Sequence, residues 1–349
     1  MRLNLNKGLF VNENLLLTHG KLEIKAFTYP SGVEALLVSG ERISFVFTPF
    51  KGQEIWHLKV DGKEISMKTE VKEPQATEHY LENYGGFLYH CGVCSFGAPD
   101  PEHPQHGELP NAKYGSAYIE CDEDEGGKYI VLGGTRENNV AFVRRYRFSP
   151  RVKLYESATD FSVTVKLENL RSYPMEYMYL CHVNFDQPEK ARIYSTFKCD
   201  TGSVKVYRTD GTPELCAYFD ELDKDLSLMN VVGDVRQCYD PEICFGIKHI
   251  SDSEGYAHSL MTQDGGAVYI SHPTDALPYA IRWMSKTENE SAAGICLPST
   301  GEHLGYKNAK EKGQIKYLSP NGTLEFTLRM GWLDAPDAEK MKKKIEKLI

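Results

Sequence analysis

The sequence lacks the features that would direct it to a membrane or to nucleic acid. No apolar run approaches the roughly 20 residues that a membrane-spanning helix needs, and the N-terminal segment has no apolar stretch typical of an export signal. Basic residues number 40 against 49 acidic ones, and the formal net charge of -9 argues against a phosphate backbone as partner. We therefore expect a cytoplasmic protein whose partners include neither a membrane nor a nucleic acid.

The cysteines follow no disulfide framework, and the common cofactor motifs are missing. The 9 Cys are an odd number scattered along the chain, so we expect reduced thiols. The motifs G-x-x-x-x-G-K-[ST] and G-x-S-x-G are absent, and no G-x-G-x-x-G follows a predicted strand and opens a helix. These absences predict a protein that needs no organic cofactor.

What the sequence does contain is the period-2 alternation of apolar residues that is typical of β-strands. It is clear in residues 43–47, 140–148, 161–167, 175–185, 279–283 and 324–330. Turn pairs such as Asp61-Gly62 and Asn321-Gly322 separate these runs, and 21 Tyr and 15 Phe favour strands. This pattern predicts an all-β sandwich or barrel, and without a linker or repeat we expect a single domain over residues 1–349.

Helices are predicted in two places only. Near the C-terminus Asp337 is a candidate cap, and an apolar stripe follows it at Ala338, Met341, Ile345 and Leu348. A second short helix is predicted within residues 213–225. The C-terminal helix is therefore an addition to a β-structure.

The segment from Tyr89 to Tyr114 concentrates titratable side chains in a stretch with four prolines. It contains His90, His103, His106 and Glu108. Prolines at this density exclude a regular strand or helix, and a rigid loop of this kind suits a binding or catalytic site. A surface loop with solvated histidines is the alternative, and the sequence favours neither.

The same loop has the residue types of a metal site. Cys91 and Cys94 with His103 and His106 are the ligand types of a Cys2His2 zinc site, although their spacing is shorter than in a zinc finger. His103, His106 and Glu108 are an alternative set for a divalent ion in an open site. A divalent metal is thus an alternative to a metal-free protein.

Two further segments place polar groups where strands pass into a cleft. In a strand, His182, Asn184 and Asp186 share one face, and the apolar Leu180 precedes them on that face. A second apolar strand, beginning at Gly294, ends in a Pro/Gly turn that carries Glu302 and His303. Both arrangements are compatible with structural roles as well as with catalysis.

Four pieces of the sequence, in this order, resemble the aldose 1-epimerase (galactose mutarotase) superfamily, and more narrowly its DUF4432-type branch. They are residues 48–56, 89–93, 103–112 and 180–185, and the closing stretch of residues 294–318 also follows the pattern. The resemblance implies a large antiparallel β-sandwich with a sugar-binding cleft on a concave sheet. It implies His182 as the general acid at the ring oxygen and His106 as the group that orients the sugar.

The sequence departs from the superfamily at the expected catalytic base. The glutamate that precedes the proline of the late strand-end motif is replaced by Leu297, before Pro298. A leucine takes no proton, so Glu302 is our first candidate for the base, with Glu108 and Asp186 as others.

The expected substrate-binding residues complete the candidate site. They are His103, Glu108, Asn111, Asn184, Asp186 and Trp283. The leading hypothesis is an aldose 1-epimerase-like isomerase acting on a sugar or sugar phosphate without cofactor. The alternatives are a metal-dependent sugar isomerase or lyase that uses His103, His106 and Glu108, and a non-catalytic carbohydrate-binding protein. A homodimer is an alternative to a monomer.

Overall fold

The computed structural model describes residues 1–232 and 239–349, and antiparallel strands are the main element of their fold. The strands, in chain order, are β1 (Arg2–Asn4), β2 (Asn14–His19), β3 (Leu22–Thr28), β4 (Glu34–Ser39), β5 (Ile43–Phe47), β6 (Ile55–Val60), β7 (Lys63–Glu64), β8 (Leu88–Val93), β9 (Ser116–Asp124), β10 (Gly127–Val140), β11 (Arg144–Tyr155), β12 (Asp160–Asn169), β13 (Met175–Val183), β14 (Ala191–Ser195), β15 (Val204–Tyr207), β16 (Val231–Val232), β17 (Tyr239–Ile247), β18 (Tyr256–Gln263), β19 (Gly266–Pro273), β20 (Tyr279–Lys286), β21 (Ser291–Ser299), β22 (Lys316–Leu318) and β23 (Thr323–Asp334).

Two large sheets contain these strands. The first has the order β1-β9-β10-β11-β12-β23-β19-β18-β14-β16, and the second has the order β15-β17-β20-β21-β13-β8-β6-β5-β4-β3-β2, with β22 on β13 and β7 on β6. The main hydrophobic core includes residues of both sheets, as expected for sheets packed face to face. The predicted all-β antiparallel sandwich is confirmed.

The strand β13 lies in the middle of the second sheet and is buried on both faces. Its alternate residues Tyr177, Tyr179 and Cys181 pack in the core between the sheets. Met178 and Leu180 belong to a second apolar cluster on the opposite, outer face, which the loops of the chain cover. A strand enclosed on both sides holds its side chains in fixed directions, and His182 continues the outer row.

Three α-helices accompany the sheets in the described residues: α1 (Pro213–Leu222), α2 (Gly305–Glu311) and α3 (Ala335–Leu348). Helix α1 confirms the short helix predicted within 213–225. The predicted cap of α3 is wrong by one turn, because Asp334 is the N-cap residue and Asp337 lies in the first turn. Ala338 and Ile345 are buried as predicted. None of the described helices has the length and apolar character needed to cross a membrane.

Candidate active site

His182 is held in one tautomer by Asn184, two residues further along the chain. The Asn184 side chain donates from Nδ2 to the Gly86 carbonyl at 3.0 Å, so its Oδ1 is the acceptor. His182 Nδ1 lies 2.8 Å from this oxygen and must donate to it. The Nε2 atom therefore carries the lone pair. His182 is thus a hydrogen-bond acceptor at the outer face of β13.

His106 has the opposite polarity. It lies in the proline-rich loop, where the Gly97 N–H donates to its Nδ1 at 3.4 Å, which leaves the proton on Nε2. Gly97 has a φ of 79°, and a Cβ there would lie 1.8 Å from the carbonyl oxygen of His303, so only glycine allows the loop to approach this closely. The rings of His106 and His182 are 5.3 Å apart. The loop therefore places the Nε2–H donor of His106 near the Nε2 acceptor of His182.

Aromatic side chains surround the two imidazoles. Tyr84 lies 5.5 Å from His182 and 5.8 Å from Trp283, measured between ring centroids, and Tyr80 lies 4.6 Å from His106. Trp283 itself lies 5.3 Å from His182. We call Tyr80, Tyr84, His106, His182 and Trp283 the two-histidine cluster. An aromatic wall with polar tips is suited to the apolar face and hydroxyl groups of a sugar.

A carboxyl group that the sequence interpretation missed adjoins this cluster. The indole Nε1 of Trp283 donates to Glu242 Oε2 at 2.6 Å. Glu242 is on β17, whose neighbour along the same face, Cys244, pairs with Trp283 on β20. The negative charge of Glu242 also contributes to raising the pKa of Tyr84, after burial. Glu242 therefore places a carboxyl group at the edge of the candidate site.

Desolvation lowers the pKa of seven histidines, so that they are mainly neutral at pH 7: His90, His106, His182, His249, His258, His272 and His303. Burial brings the pKa of His182 down to about 4, against the opposing effect of the hydrogen bond with Asn184. Burial lowers the pKa of His106 well below its usual value, and the neighbouring His182 adds to this. Both imidazoles of the cluster are thus uncharged at rest.

Glu302, the first candidate for the base, lies against lysines instead of the two-histidine cluster. Its carboxylate accepts hydrogen bonds from Lys205 at 2.8 Å and Lys312 at 2.9 Å, and from Tyr207 and Gln314. These bonds outweigh the effect of burial and lower the pKa of Glu302 to about 2. A carboxylate held in this way is a weak proton acceptor, so its predicted role does not fit the geometry.

Of the remaining predicted substrate-binding residues, Asn184 and Trp283 are in the site, whereas Asp186 and Asn111 have other partners. Strand β13 ends at Val183, and Asp186 forms an ion pair with Lys68 at 3.2 Å. Asn111 accepts from Lys51 Nζ at 2.6 Å. Asn111 therefore belongs to the support of the loop, and Asp186 to a surface ion pair.

The structure does not bring His103, His106 and Glu108 together. His103 lies 3.1 Å from Asp100 and stacks on Tyr306, with ring centroids 4.5 Å apart. Glu108 accepts from the Tyr146 hydroxyl at 2.6 Å and from Cys94. Within residues 1–232 and 239–349, no three His, Cys, Asp or Glu side chains are grouped as metal ligands. In this part of the chain, neither the set of His103, His106 and Glu108 nor the Cys2His2 set is arranged to bind a metal ion.

Leu297 occupies the outer face beside the site. It pairs with Ile281 on β20, is 2% exposed, and packs in the same apolar cluster as Trp283 and Leu180. The position expected for a carboxylate base is thus filled by a buried aliphatic side chain. A proton acceptor has to come from elsewhere in the site.

The comparisons with known proteins place the chain in a family. The model of DUF4432, a domain of unknown function, matches residues 30–331, and the chain belongs to this family. No protein of curated function matches the sequence.

Solved structures share the fold at low sequence identity. One is a Klebsiella pneumoniae protein whose name suggests an aldose 1-epimerase (TM-score 0.83, 17% identity, 99% of this chain and 91% of that one covered). Another is a galactose mutarotase-like protein from Clostridium acetobutylicum (TM-score 0.62, 15% identity, 90% and 100% covered). At these identities the likeness establishes the fold, which is that of the galactose mutarotase-like proteins.

Proposed function

We propose that the chain binds a sugar at the two-histidine cluster and interconverts its anomers, as an aldose 1-epimerase does. The observation that carries the proposal is the opposite polarity of the two imidazoles. A sugar hydroxyl is both a donor and an acceptor, so it can donate to His182 Nε2 while it accepts from His106 Nε2–H. The fold shared with galactose mutarotase-like proteins supports the same class of ligand.

The reaction needs one proton to move between two sugar oxygens. His182 Nε2 takes the proton of the anomeric hydroxyl, and the C1–O5 bond breaks as the C1–O1 bond becomes a carbonyl. The imidazolium formed in this step then gives its proton to O5. Ring closure on the other face of C1 reverses the steps and yields the other anomer. A neutral resting His182 is thus first the base and then the acid, which reconciles its low pKa with the acid role expected from the resemblance.

The other groups of the site orient the sugar and stabilise charge. His106 Nε2–H donates to O1, the anomeric oxygen, which becomes negative as it loses its proton. Glu242 stabilises the transient imidazolium of His182 and binds a hydroxyl of the sugar. Trp283 holds the Glu242 carboxyl group through its indole N–H. No step requires an organic cofactor or a metal. The eight free thiols among the described cysteines suit a reducing compartment, and we place the activity in the cytoplasm.

A carbohydrate-binding protein without turnover is a second candidate, favoured by Leu297 at the position expected for the base. Such a protein would bind sugars at the same cluster without exchanging their anomers. Binding and exchange therefore have to be measured separately.

The test is anomer exchange by proton NMR magnetisation transfer on a panel of aldoses, with and without a chelator. We expect exchange above the spontaneous rate, indifferent to the chelator, and a loss of about 10²- to 10⁴-fold in His182→Gln. His57→Gln, a partly exposed histidine outside the site, is the matched control. Undiminished exchange in a folded His182→Gln variant would show that His182 is not the proton carrier.

A further inference from the structure

A basic cavity lies beside the two-histidine cluster. It has a volume of about 530 Å³, and its lining includes Lys205, Lys248 and Lys316, the rings of Tyr207 and Tyr279, and a single carboxylate, Glu302. We call this cavity the lysine pocket. Neither the proton transfer nor the binding of the sugar ring described above makes use of it.

The strand register places the lysine pocket one row of side chains from Trp283. Trp283 on β20, Cys244 on β17 and Tyr207 on β15 form one row across the sheet. The next row on the same face consists of Ile281, Gly246 and Lys205. Residues two apart on a strand are separated by about 7 Å. A substituent of a sugar beside Trp283 therefore reaches the lysine pocket.

Gly246 keeps the floor of the pocket open. A Cβ at this position would lie 3.1 Å from the ring of Tyr207, so the ring packs down against the glycine. The Tyr207 hydroxyl donates to Glu302, which fixes the ring as a wall between the pocket and His303. The pocket is therefore a hollow formed by the packing of the sheet.

The charges around the pocket do not balance. Lys205 and Lys312 both pair with Glu302, at 2.8 and 2.9 Å. Lys248 and Lys316 form no ion pair with a carboxylate of the described residues. The lining of the pocket has three ammonium groups and one carboxylate, which leaves two positive charges on a chain whose net charge is -9. A local excess of this sign attracts an anion.

We propose that the substrate is an aldose phosphate, whose phosphate monoester binds in the lysine pocket while its anomeric carbon lies at His182. This inference rests on the proposed function, because it takes the sugar ring to lie beside Trp283. The anomeric oxygen has to be free for exchange, so the phosphate is carried by a carbon at the far end of the sugar. Lys248 and Lys316, the two without a carboxylate partner, supply the free positive charge.

The experiment compares glucose, glucose 6-phosphate and glucuronate, and likewise galactose and galactose 6-phosphate, in the NMR exchange assay and in calorimetric binding. The variant is the double substitution Lys248→Gln and Lys316→Gln. The control is Lys340→Gln, an exposed lysine on α3 outside the pocket. We expect the double variant to raise the KM or Kd for a 6-phosphate about tenfold or more and to leave that for the neutral sugar unchanged. Added salt should weaken only the phosphorylated substrate.

The outcomes separate the two proposals. Equal use of neutral and phosphorylated sugars, with no effect of the double variant, would overturn the lysine pocket and leave the anomer exchange standing. Lysine-dependent binding of a 6-phosphate without exchange would overturn the exchange and support the pocket. Glucuronate used as well as glucose 6-phosphate would overturn the assignment to phosphate.

Discussion

Replacing Asn184 by Asp should raise the pKa of His182 by about 2 to 3 units. The new carboxylate would take the place of the amide oxygen, which now lies 2.8 Å from His182 Nδ1. Opposite charges about 4 Å apart interact by about 4 kcal/mol at an effective dielectric constant near 20, which corresponds to about 3 pKa units. Desolvation of the carboxylate reduces this gain. From about 4, the pKa of His182 should therefore rise to about 6 or 7.

The titration can be followed by NMR of labelled histidine. Asn184→Leu is the matched control, because it removes the acceptor without adding a charge and should not raise the pKa of His182. Exchange kinetics give an independent readout. If the neutral imidazole is the proton acceptor, the wild-type rate should be flat from pH 8 to about 5, whereas the rate of Asn184→Asp should fall as the pH drops below about 7.

Two results would refute this reasoning. A wild-type His182 that titrates near pH 6.5 would show that burial does not control its charge. An Asn184→Asp variant whose His182 still titrates near pH 4 would show that the two side chains are not hydrogen-bonded as described. Asp also loses the bond to the Gly86 carbonyl, so urea unfolding has to establish that the variant is folded; we expect a cost of about 1 to 3 kcal/mol.

Two further predictions concern stability. The seven desolvated histidines have folded-state pKa values below the unfolded value near 6.5, so the unfolded chain binds more protons below that pH. The free energy of unfolding should therefore fall between pH 6.5 and about 4, by about 1.4 kcal/mol per pH unit for each histidine that stays neutral. Urea unfolding at pH 7 and pH 5 measures this, and equal stability at both would contradict it. The charges of the buried pair Lys51 and Glu54 should depend on each other. Lys51→Met leaves the Glu54 charge unpaired and should lower the free energy of unfolding by about 3 to 5 kcal/mol, and adding Glu54→Gln should restore part of this loss. A Lys51→Met variant as stable as the double variant in urea would exclude this coupling.

The strands and the position of His182 could be predicted because both depend on local alternation. Along β13, odd residues face the core and even residues face outward, and this period sets His182 on the outer face with Leu180. The same period failed for Asp186, because the strand ends at Val183 and the chain turns to pair with other segments. A pattern read from sequence predicts a face only as far as the strand continues.

The carboxyl group of the site could not be predicted, because its place depends on pairing between distant strands. Glu242 meets Trp283 only through the register of β17 on β20. Glu302 is near Leu297 in sequence, but in the structure it is bound by Tyr207 and two lysines from other segments and is not part of the two-histidine cluster. Tyr84 could not be predicted either, since no periodicity marks a side chain in an irregular segment.

The burial of β13 on both faces makes the position of His182, the proposed proton carrier, as stable as the fold itself. The amide protons of β13 should be among the slowest to exchange with solvent, because a strand at the centre of the sheet is released only when the whole sheet opens. His106, by contrast, is carried by a loop that local opening can release. In mild denaturant the proposed sugar binding should therefore be lost first, and the position of His182 only when the chain unfolds as a whole.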